Sequence, residues 1–494
     1  MIKSLFVLAL TLSTSSVVFG SEYLIKFQSV EPGFENAFIA RNGGTLELVS
    51  REGSVYKWTT SKSAGSLKLL RAEKSWNKNV VRIEPNKKLK IFLSPSLEEK
   101  RAELTEALAI LKKKEKKEEK DSDSAESKAG STPYPDNPEI KNPTKQETGS
   151  DPLLSNQWGM LAVDAAGAWK KTPGGKDIVV AVTDTGVDYN HQDLVNNMWR
   201  NTKEIPGDGK DNDNNGYVDD VVGWDFAVDD NKPYDLTLSL MDIILQGGNP
   251  GHGTHVSGCI GASLNNKMGI VGLAPNVKIM ALRFITEKGQ GGTAEAIKAI
   301  DYAANNGAKI INASWGGESD GEQEEDQILK EAIERAGKKG VLFLAAAGNG
   351  RANAQGGAAG FDIDNDPKPV YPAAYQLENV FTVAAIDSEN NLATFSNWGN
   401  KSVKIAAPGV KILSTVPGDK YQDTIINLGS INVTWDGTSM ATPHVAGAAA
   451  TIWSTDPNML ARDVAKKLMD LSTATDAVNG KVVSNGRLDL HGLK

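Results

Sequence analysis

Gly437-Thr438-Ser439-Met440-Ala441-Thr442-Pro443-His444-Val445-Ala446-Gly447 leads into an apolar stretch that runs from Val445 to Trp453. A helix beginning here puts the Ser439 hydroxyl at its N-terminus, among backbone N–H groups with no partner inside the helix. Such donors can hold an oxyanion, and their field favours a developing alkoxide. Pro443 is expected in the first helical turn, where a missing N–H is tolerated. The structural alternative is a serine that caps a buried helix, a position for which Ser is favoured.

Two further segments favour the chemical reading. Ile178-Val179-Val180-Ala181-Val182 is a short apolar run of the kind buried in parallel sheets, and it ends in Asp184-Thr185-Gly186. Ligands of open α/β sheets meet the chain beyond the carboxyl ends of the strands, so a carboxylate there is well placed. Otherwise Asp184 caps the next turn. Gly251-His252-Gly253-Thr254-His255-Val256-Ser257-Gly258 holds two of the five histidines. A serine nucleophile needs a base that titrates near neutrality, and histidine is the usual one. His252 sits between glycines, which permit close approach of other groups. It is the expected base, whereas His255, one helical turn on, is expected to pack or bond internally.

The order Asp, His, Ser is one of three unrelated orders in which such triads occur. It argues against the α/β-hydrolases, which run Ser, Asp, His and carry Gly-x-Ser-x-Gly. With these motifs, the chain resembles the subtilisin-like serine proteases (subtilases) over roughly residues 150–494. The resemblance implies Ser439 as nucleophile, His252 as general base and then acid, and Asp184 as orienter of the imidazole. A fourth motif, Ala346-Ala347-Gly348-Asn349-Gly350, follows the apolar run Val341-Leu342-Phe343-Leu344. The resemblance makes Asn349 an oxyanion-hole donor beside the Ser439 backbone N–H; on its own it would read as a turn residue in a Gly-rich loop.

Residues 278–283, 309–312, 341–344 and 380–384 read as buried strands, and 293–306, 327–338 and 439–454 as helices. The alternation predicts an α/β fold, a mostly parallel central sheet with helices on both faces. At 494 residues the chain exceeds the usual single domain. Residues 1–20 read as a signal peptide, with Lys3, an apolar centre from Leu5 to Leu12, and Val18-Phe19-Gly20 as cleavage site. No other segment is long and apolar enough to span a bilayer, so a secreted product, extracellular or periplasmic, is expected. Residues 21–93 read as a small α+β unit, with strands at 23–27, 80–83 and 89–92. It resembles the family's propeptide, which implies an intramolecular inhibitor removed by proteolysis. Residues 94–150 read as a charged flexible linker, with a helix over 97–111 and a Ser-, Pro- and Asn-rich remainder where activation cuts are expected. Residues 151–494 then form the catalytic domain.

The net charge of −8, with the basic residues not massed on the catalytic segment, suggests no nucleic-acid role. The single cysteine, Cys259, rules out an intramolecular disulfide and reads as a buried small apolar residue.

Asp211-Asn212-Asp213-Asn214-Asn215-Gly216-Tyr217-Val218-Asp219-Asp220 places oxygen ligands at alternate positions with a glycine sixth, as a calcium loop does. Asp211, Asp213, Asn215 and Asp219 side chains and the Tyr217 carbonyl are the expected ligands. Val222 at the twelfth position excludes an EF-hand, and a solvated acidic turn is the alternative. A second calcium site follows from the resemblance alone: Asp193 and Asn266 side chains, Leu264, Met268 and Ile270 carbonyls, and Asp151. No organic cofactor is expected. The resemblance also implies that Ser314-Trp315-Gly316-Gly317 and the segment around Gly291 pair with an extended substrate, with Ser314, Trp315, Gly316 and Gly291 as contacts.

Together these readings predict a secreted, calcium-stabilised serine endopeptidase made as a precursor, acting on proteins or peptides. The rivals are a processing protease with one target and a silent binding protein on the same fold.

Overall fold

The computed structural model describes residues 21–28, 34–62, 79–121, 138–319, 326–353 and 357–493. The expected signal peptide, residues 1–20, lies outside them. The chain divides into two compact units, Met1–Asn86 and Lys87–Lys494. Residues 88–91 pair with strands of the second unit, Gln290–Gly292 and Trp315–Glu318.

In the first unit, strands Thr45–Ser50, Val55–Thr60, Ser21–Phe27 and Val80–Pro85 form an antiparallel sheet in that order. A helix, Phe34–Asn42, completes it. Alternation along Tyr23, Ile25 and Phe27 sends these side chains to one face, where they meet Phe38, Tyr56, Trp58 and Ile83 in a small core.

The second unit is built on nine strands among the described residues. Their order is Thr473–Ala474, Gly486–Arg487, Val403–Pro408, Val380–Ile386, Leu342–Ala346, Ile310–Ala313, Val179–Asp184, Lys278–Arg283 and Gly223–Asp225. Every pairing is parallel except the first, between Thr473–Ala474 and Gly486–Arg487. The central strands are buried along their whole length, which explains why they read as continuous apolar runs rather than alternating ones.

Helices Thr438–Thr455 and His252–Gly261 pack on each other and on the sheet, as do Thr293–Asn305 and Gln327–Lys338. Residues 438–453 are all buried. The helix starts at Thr438, so Pro443 lies beyond the first turn, further in than the sequence suggested. Pro443 cannot donate to the Ser439 carbonyl four residues back. That carbonyl accepts from the Ser314 hydroxyl instead, at 2.9 Å, so the proline leaves no orphaned acceptor there.

The helix expected over 97–111 lies inside a longer one, Pro95–Asp121. Leu97 and Leu104 are fully buried within the second unit, against Ile243, Ile244, Ile426 and Val433, a gain of about 1.5–3 kcal/mol for each leucine. No helix among the described residues is long and apolar enough to cross a membrane.

Candidate active site

Asp184 ends its strand and His252 begins its helix, so the sheet and the helix N-terminus bring the two side chains together. His252 Nδ1 and Asp184 Oδ1 are 2.8 Å apart, and both residues are buried. The Thr185 N–H donates to the same oxygen at 2.7 Å. The bond to Asp184 occupies Nδ1 and leaves Nε2 as the ring nitrogen open to another partner. His252 Nε2 is buried without a hydrogen-bond partner. The Ser439 hydroxyl, second residue of its helix, donates to the Ser314 carbonyl at 3.0 Å. Ser314 is fixed in turn by Asn312 Nδ2, which donates to its hydroxyl at 3.0 Å.

His255 has a different environment. It stacks on Trp435 with ring centroids 4.2 Å apart and bonds the Ile412 carbonyl through Nε2 at 2.9 Å. Complete burial pushes its pKa down to about 3, so it stays neutral. Cys259, on the same helix, is fully buried, and burial pushes its thiol up to about 12. It is an inert apolar filler.

Asn349 is held from one side. Its Oδ1 accepts from the Thr438 N–H and the Thr438 hydroxyl, both at 2.9 Å. Its amide nitrogen therefore faces the cleft, where it donates to the Leu93 carbonyl at 3.1 Å and lies 3.4 Å from the Phe92 carbonyl.

Residues 88–93 occupy this cleft. The strand Lys88–Ile91 lies antiparallel between Gln290–Gly292 and Trp315–Glu318, with Leu89 opposite Gly291 and Lys90 opposite Gly316. The Ile91 N–H also donates to the Gly289 carbonyl at 3.2 Å. Gly316 and Gly291 thus lie beside residues 88–91, and Ser314 is bonded to Ser439. Trp315 contributes its backbone alone, because its ring is buried against Phe284 and its indole N–H donates to Thr183. The Phe92 ring sits over Gly316, where a Cβ would come within 2.7 Å of it, and packs with Ala346, Ala347 and Val370. A cavity of about 360 Å³ continues beside it, lined by Glu318, Arg351 and Asn397. Arg351 is paired with Glu318 at 3.1 Å and Asp366 at 2.8 Å.

Sequence reasoning missed Asp235. This fully buried carboxylate accepts from Thr185 Oγ1 at 2.8 Å, Thr254 N–H at 2.8 Å, Thr254 Oγ1 at 2.6 Å, and Asn249 Nδ2. Asn249 Oδ1 accepts the N–H groups of Gly251 and His252 and so caps the histidine helix. Asp235 thereby ties the Asp184 strand end to the start of the His252 helix. Burial pushes its carboxyl up to about 6. Nothing in Lys232-Pro233-Tyr234-Asp235 marks it in the sequence.

Among the acidic positions, the carboxylates of Glu204, Asp211 and Asp213 come within 4.8 Å of one another. Glu204 is new to the set. Asp219 turns away to accept from the Gly207 and Gly209 N–H groups, while Asn215 donates to Asp220 at 2.8 Å. The Tyr217 ring packs against Trp224, Phe226 and Tyr302. The second set also meets in space. Asp151 accepts from the Asn265 and Asn266 N–H groups at 2.7 and 2.9 Å. Asp193 accepts from Asn266 Nδ2 at 2.7 Å and the Ile270 N–H at 3.2 Å. Leu264 and Met268 lie in the same loop, and burial pushes Asp193 up to about 7.

The subtilase family profile matches residues 175–486. Subtilisin-like protease 2 of Plasmodium falciparum is 35% identical over 327 residues, covering 64% of this chain and 20% of that protein. A thermophilic serine proteinase of Bacillus sp. (strain AK1) is 37% identical over 291 residues, covering 59% of this chain and 56% of its own. Thermitase of Thermoactinomyces vulgaris is 34% identical over 308 residues, covering 62% of this chain and 86% of its own. The match thus spans about a fifth of the Plasmodium relative and about half of the Bacillus one. The fold is shared with fervidolysin from Fervidobacterium pennivorans, a keratinolytic enzyme related to subtilisin. Its crystal structure aligns at a TM-score of 0.63 and 24% identity, over 94% of this chain and 59% of that one. With a family profile spanning more than half of its length and a parallel sheet of matching fold, the chain belongs to the subtilase family.

Proposed function

We propose that the protein is a secreted serine endopeptidase made as a precursor, whose first substrate is its own bond between Phe92 and Leu93. The observation that carries this reading is the seating of residues 88–93: an extended strand between two cleft strands, an aromatic side chain over Gly316, and the Phe92 carbonyl 3.4 Å from the Asn349 amide nitrogen. An occupant held this way is both substrate and inhibitor of the cleft.

In the proposed reaction the Ser439 hydroxyl turns from the Ser314 carbonyl towards His252. Its proton passes to His252 Nε2 as Oγ bonds to the Phe92 carbonyl carbon. Asp184 holds the ring and stabilises the imidazolium. The Asn349 amide donates to the oxyanion. His252 then gives the proton to the Leu93 nitrogen as the peptide bond breaks, and water hydrolyses the acyl-enzyme by the reverse sequence. One observation favours a silent fold instead: Ser439 is bonded to Ser314, not to His252. Such catalytic bonds often tighten only in the reacting complex.

We further propose calcium as a structural ion. Glu204, Asp211 and Asp213 fit it as three hard oxygen donors at close quarters, a repulsive set until a cation neutralises it. Asp151, Asp193 and Asn266, with the carbonyls of Leu264, Met268 and Ile270, would hold a second. Calcium would supply charge neutralisation and loop rigidity, and no step of the reaction.

Intact mass spectrometry of the exported protein, wild type beside Ser439→Ala, tests the reading. The wild type alone should lose its N-terminal segment. If both chains stay full length, the endopeptidase reading fails; if both are trimmed alike, self-processing fails.

A further inference from the structure

Residues 88–91 keep the extended form that a cleft strand needs, but the chain after Phe92 does not. The Leu97 N–H donates to the Ser94 carbonyl at 2.9 Å, and the helix runs from Pro95. Proline at the first helical position suits that start. Leu97, Leu104 and Leu108 recur on one helical face. They enter a groove between the helix Leu240–Gln246 and the hairpin of Thr424–Leu428 with Ile431–Thr434. Ile243, Ile244, Ile426 and Val433 form its floor. Three polar anchors flank the leucines: Ser96 Oγ to Asp436 at 3.2 Å, Lys100 Nζ to the Asn432 carbonyl, and Arg101 Nη1 to the Ile244 carbonyl at 3.2 Å.

We infer that this groove is a second binding site, for an amphipathic helix lying C-terminal to the cleaved bond, and that the chain's own helix blocks that half of the cleft after the first cut. The inference rests on the proposed cleavage at Phe92–Leu93. That cut frees the strand Lys88–Ile91, yet it breaks none of the helix contacts with residues 240–246 and 424–436. The helix also stays tethered through its C-terminal end. Tethering gives an effective concentration on the order of millimolar, so a helix of roughly 0.1 mM affinity would fill the groove about ten to one. Residues of a polypeptide substrate after its own cut bond need the space taken by Leu93, Ser94 and the start of the helix. A second cut, beyond the helix, is then the step that opens the cleft to long substrates.

The test is a maturation time course of the full chain, followed by intact mass and N-terminal sequencing. Each species is assayed on Leu-Lys-Ile-Phe-p-nitroanilide, which has nothing after its cut bond, and on unfolded casein. The form beginning at Leu93, freed of residues 21–92, should cleave the anilide as fast as the fully trimmed form. On casein it should be about ten-fold slower, the occupancy ratio set by the tether. Leu104→Asp should remove that lag, and so should Lys100→Ala with Arg101→Ala, which leaves the buried leucines in place. Equal rates on casein for the two forms would overturn the inference. So would a lag that survives both variants, or activity that arises with no Leu93 form. If no form cleaves either substrate, the endopeptidase reading has failed and the inference falls with it.

Discussion

Thr438 donates twice to Asn349 Oδ1, through its backbone N–H and through its hydroxyl, each at 2.9 Å. An amide has one acceptor end and one donor end, so these two hydrogen bonds to the acceptor end turn the donor end into the cleft. The expected result of Asn349→Ala is a fall in kcat of about 10²–10³ with a much smaller change in KM. Steady-state kinetics on a peptide anilide decides it. A change confined to KM would show that Asn349 serves substrate binding and not the oxyanion.

Phe92 fills the pocket over Gly316. Replacing it by aspartate should slow the first cut by roughly thirty- to a hundredfold, the loss of about 2–3 kcal/mol of apolar burial. Phe92→Tyr should process near the wild-type rate. The appearance of the new N-terminus, followed by mass, measures this. A new N-terminus at Ser94 in place of Leu93 would move the cleaved bond by one residue and refute the assignment of Phe92 to the pocket.

Asp235 receives four hydrogen bonds in the wall behind Asp184 and His252. Asp235→Ala strands the donors of Thr185, Asn249 and Thr254, so unfolding should be easier by about 3 kcal/mol. As a positioning residue it should also lower kcat while leaving KM near its original value. Chemical denaturation and kinetics together test this; full kcat in a destabilised variant would confine Asp235 to a structural role.

Chelation of calcium should lower the thermal midpoint of the Ser439→Ala chain, which cannot digest itself. A site held at a hundredfold excess over its Kd contributes about 2.7 kcal/mol. Glu204→Gln should reduce the shift by weakening the cluster with Asp211 and Asp213. An unchanged midpoint in chelator would sink the calcium reading.

Burial pushes His255 down to about 3 and His444 down to about 4. In the unfolded chain each should titrate near 6.5. Between those values the unfolded state binds more protons, so stability rises with pH and is lost as pH falls. Each group contributes a slope of up to about 1.4 kcal/mol per pH unit. Asp193 and Asp235, whose carboxyls burial raises, act in the opposite sense over the same range. The histidine share is therefore read by difference: in the Ser439→Ala chain, adding His444→Gln should lessen the loss of stability between pH 6.5 and pH 4. Parallel profiles for the two chains would contradict it.

The legible parts of this protein are the local ones. Asp184, His252, Asn349 and Ser439 sit in short motifs whose glycines, caps and strand ends mark them out, and the buried strands declare themselves as continuous apolar runs. The acidic alternation from Asp211 to Asp219 was likewise visible, whereas Glu204, outside it, meets Asp211 and Asp213 only in the fold. Spacing along a loop shows which carboxylates are near in sequence. Which of them turn inward depends on the N–H groups that compete for them, here those of Gly207 and Gly209.

The sequence by itself determined the family and the parallel α/β architecture and singled out the candidate residues for the chemistry, because each depends on periodicity or on motifs a few residues long. Only the tertiary structure decided the rest. It paired Lys88–Ile91 with strands some two hundred residues away, put Asp235 behind the Asp–His pair, aimed the Asn349 amide through Thr438, and closed a groove around Leu97 and Leu104. These are choices among equivalent N–H groups, carbonyls and apolar faces, and what settles them is the packing of distant segments.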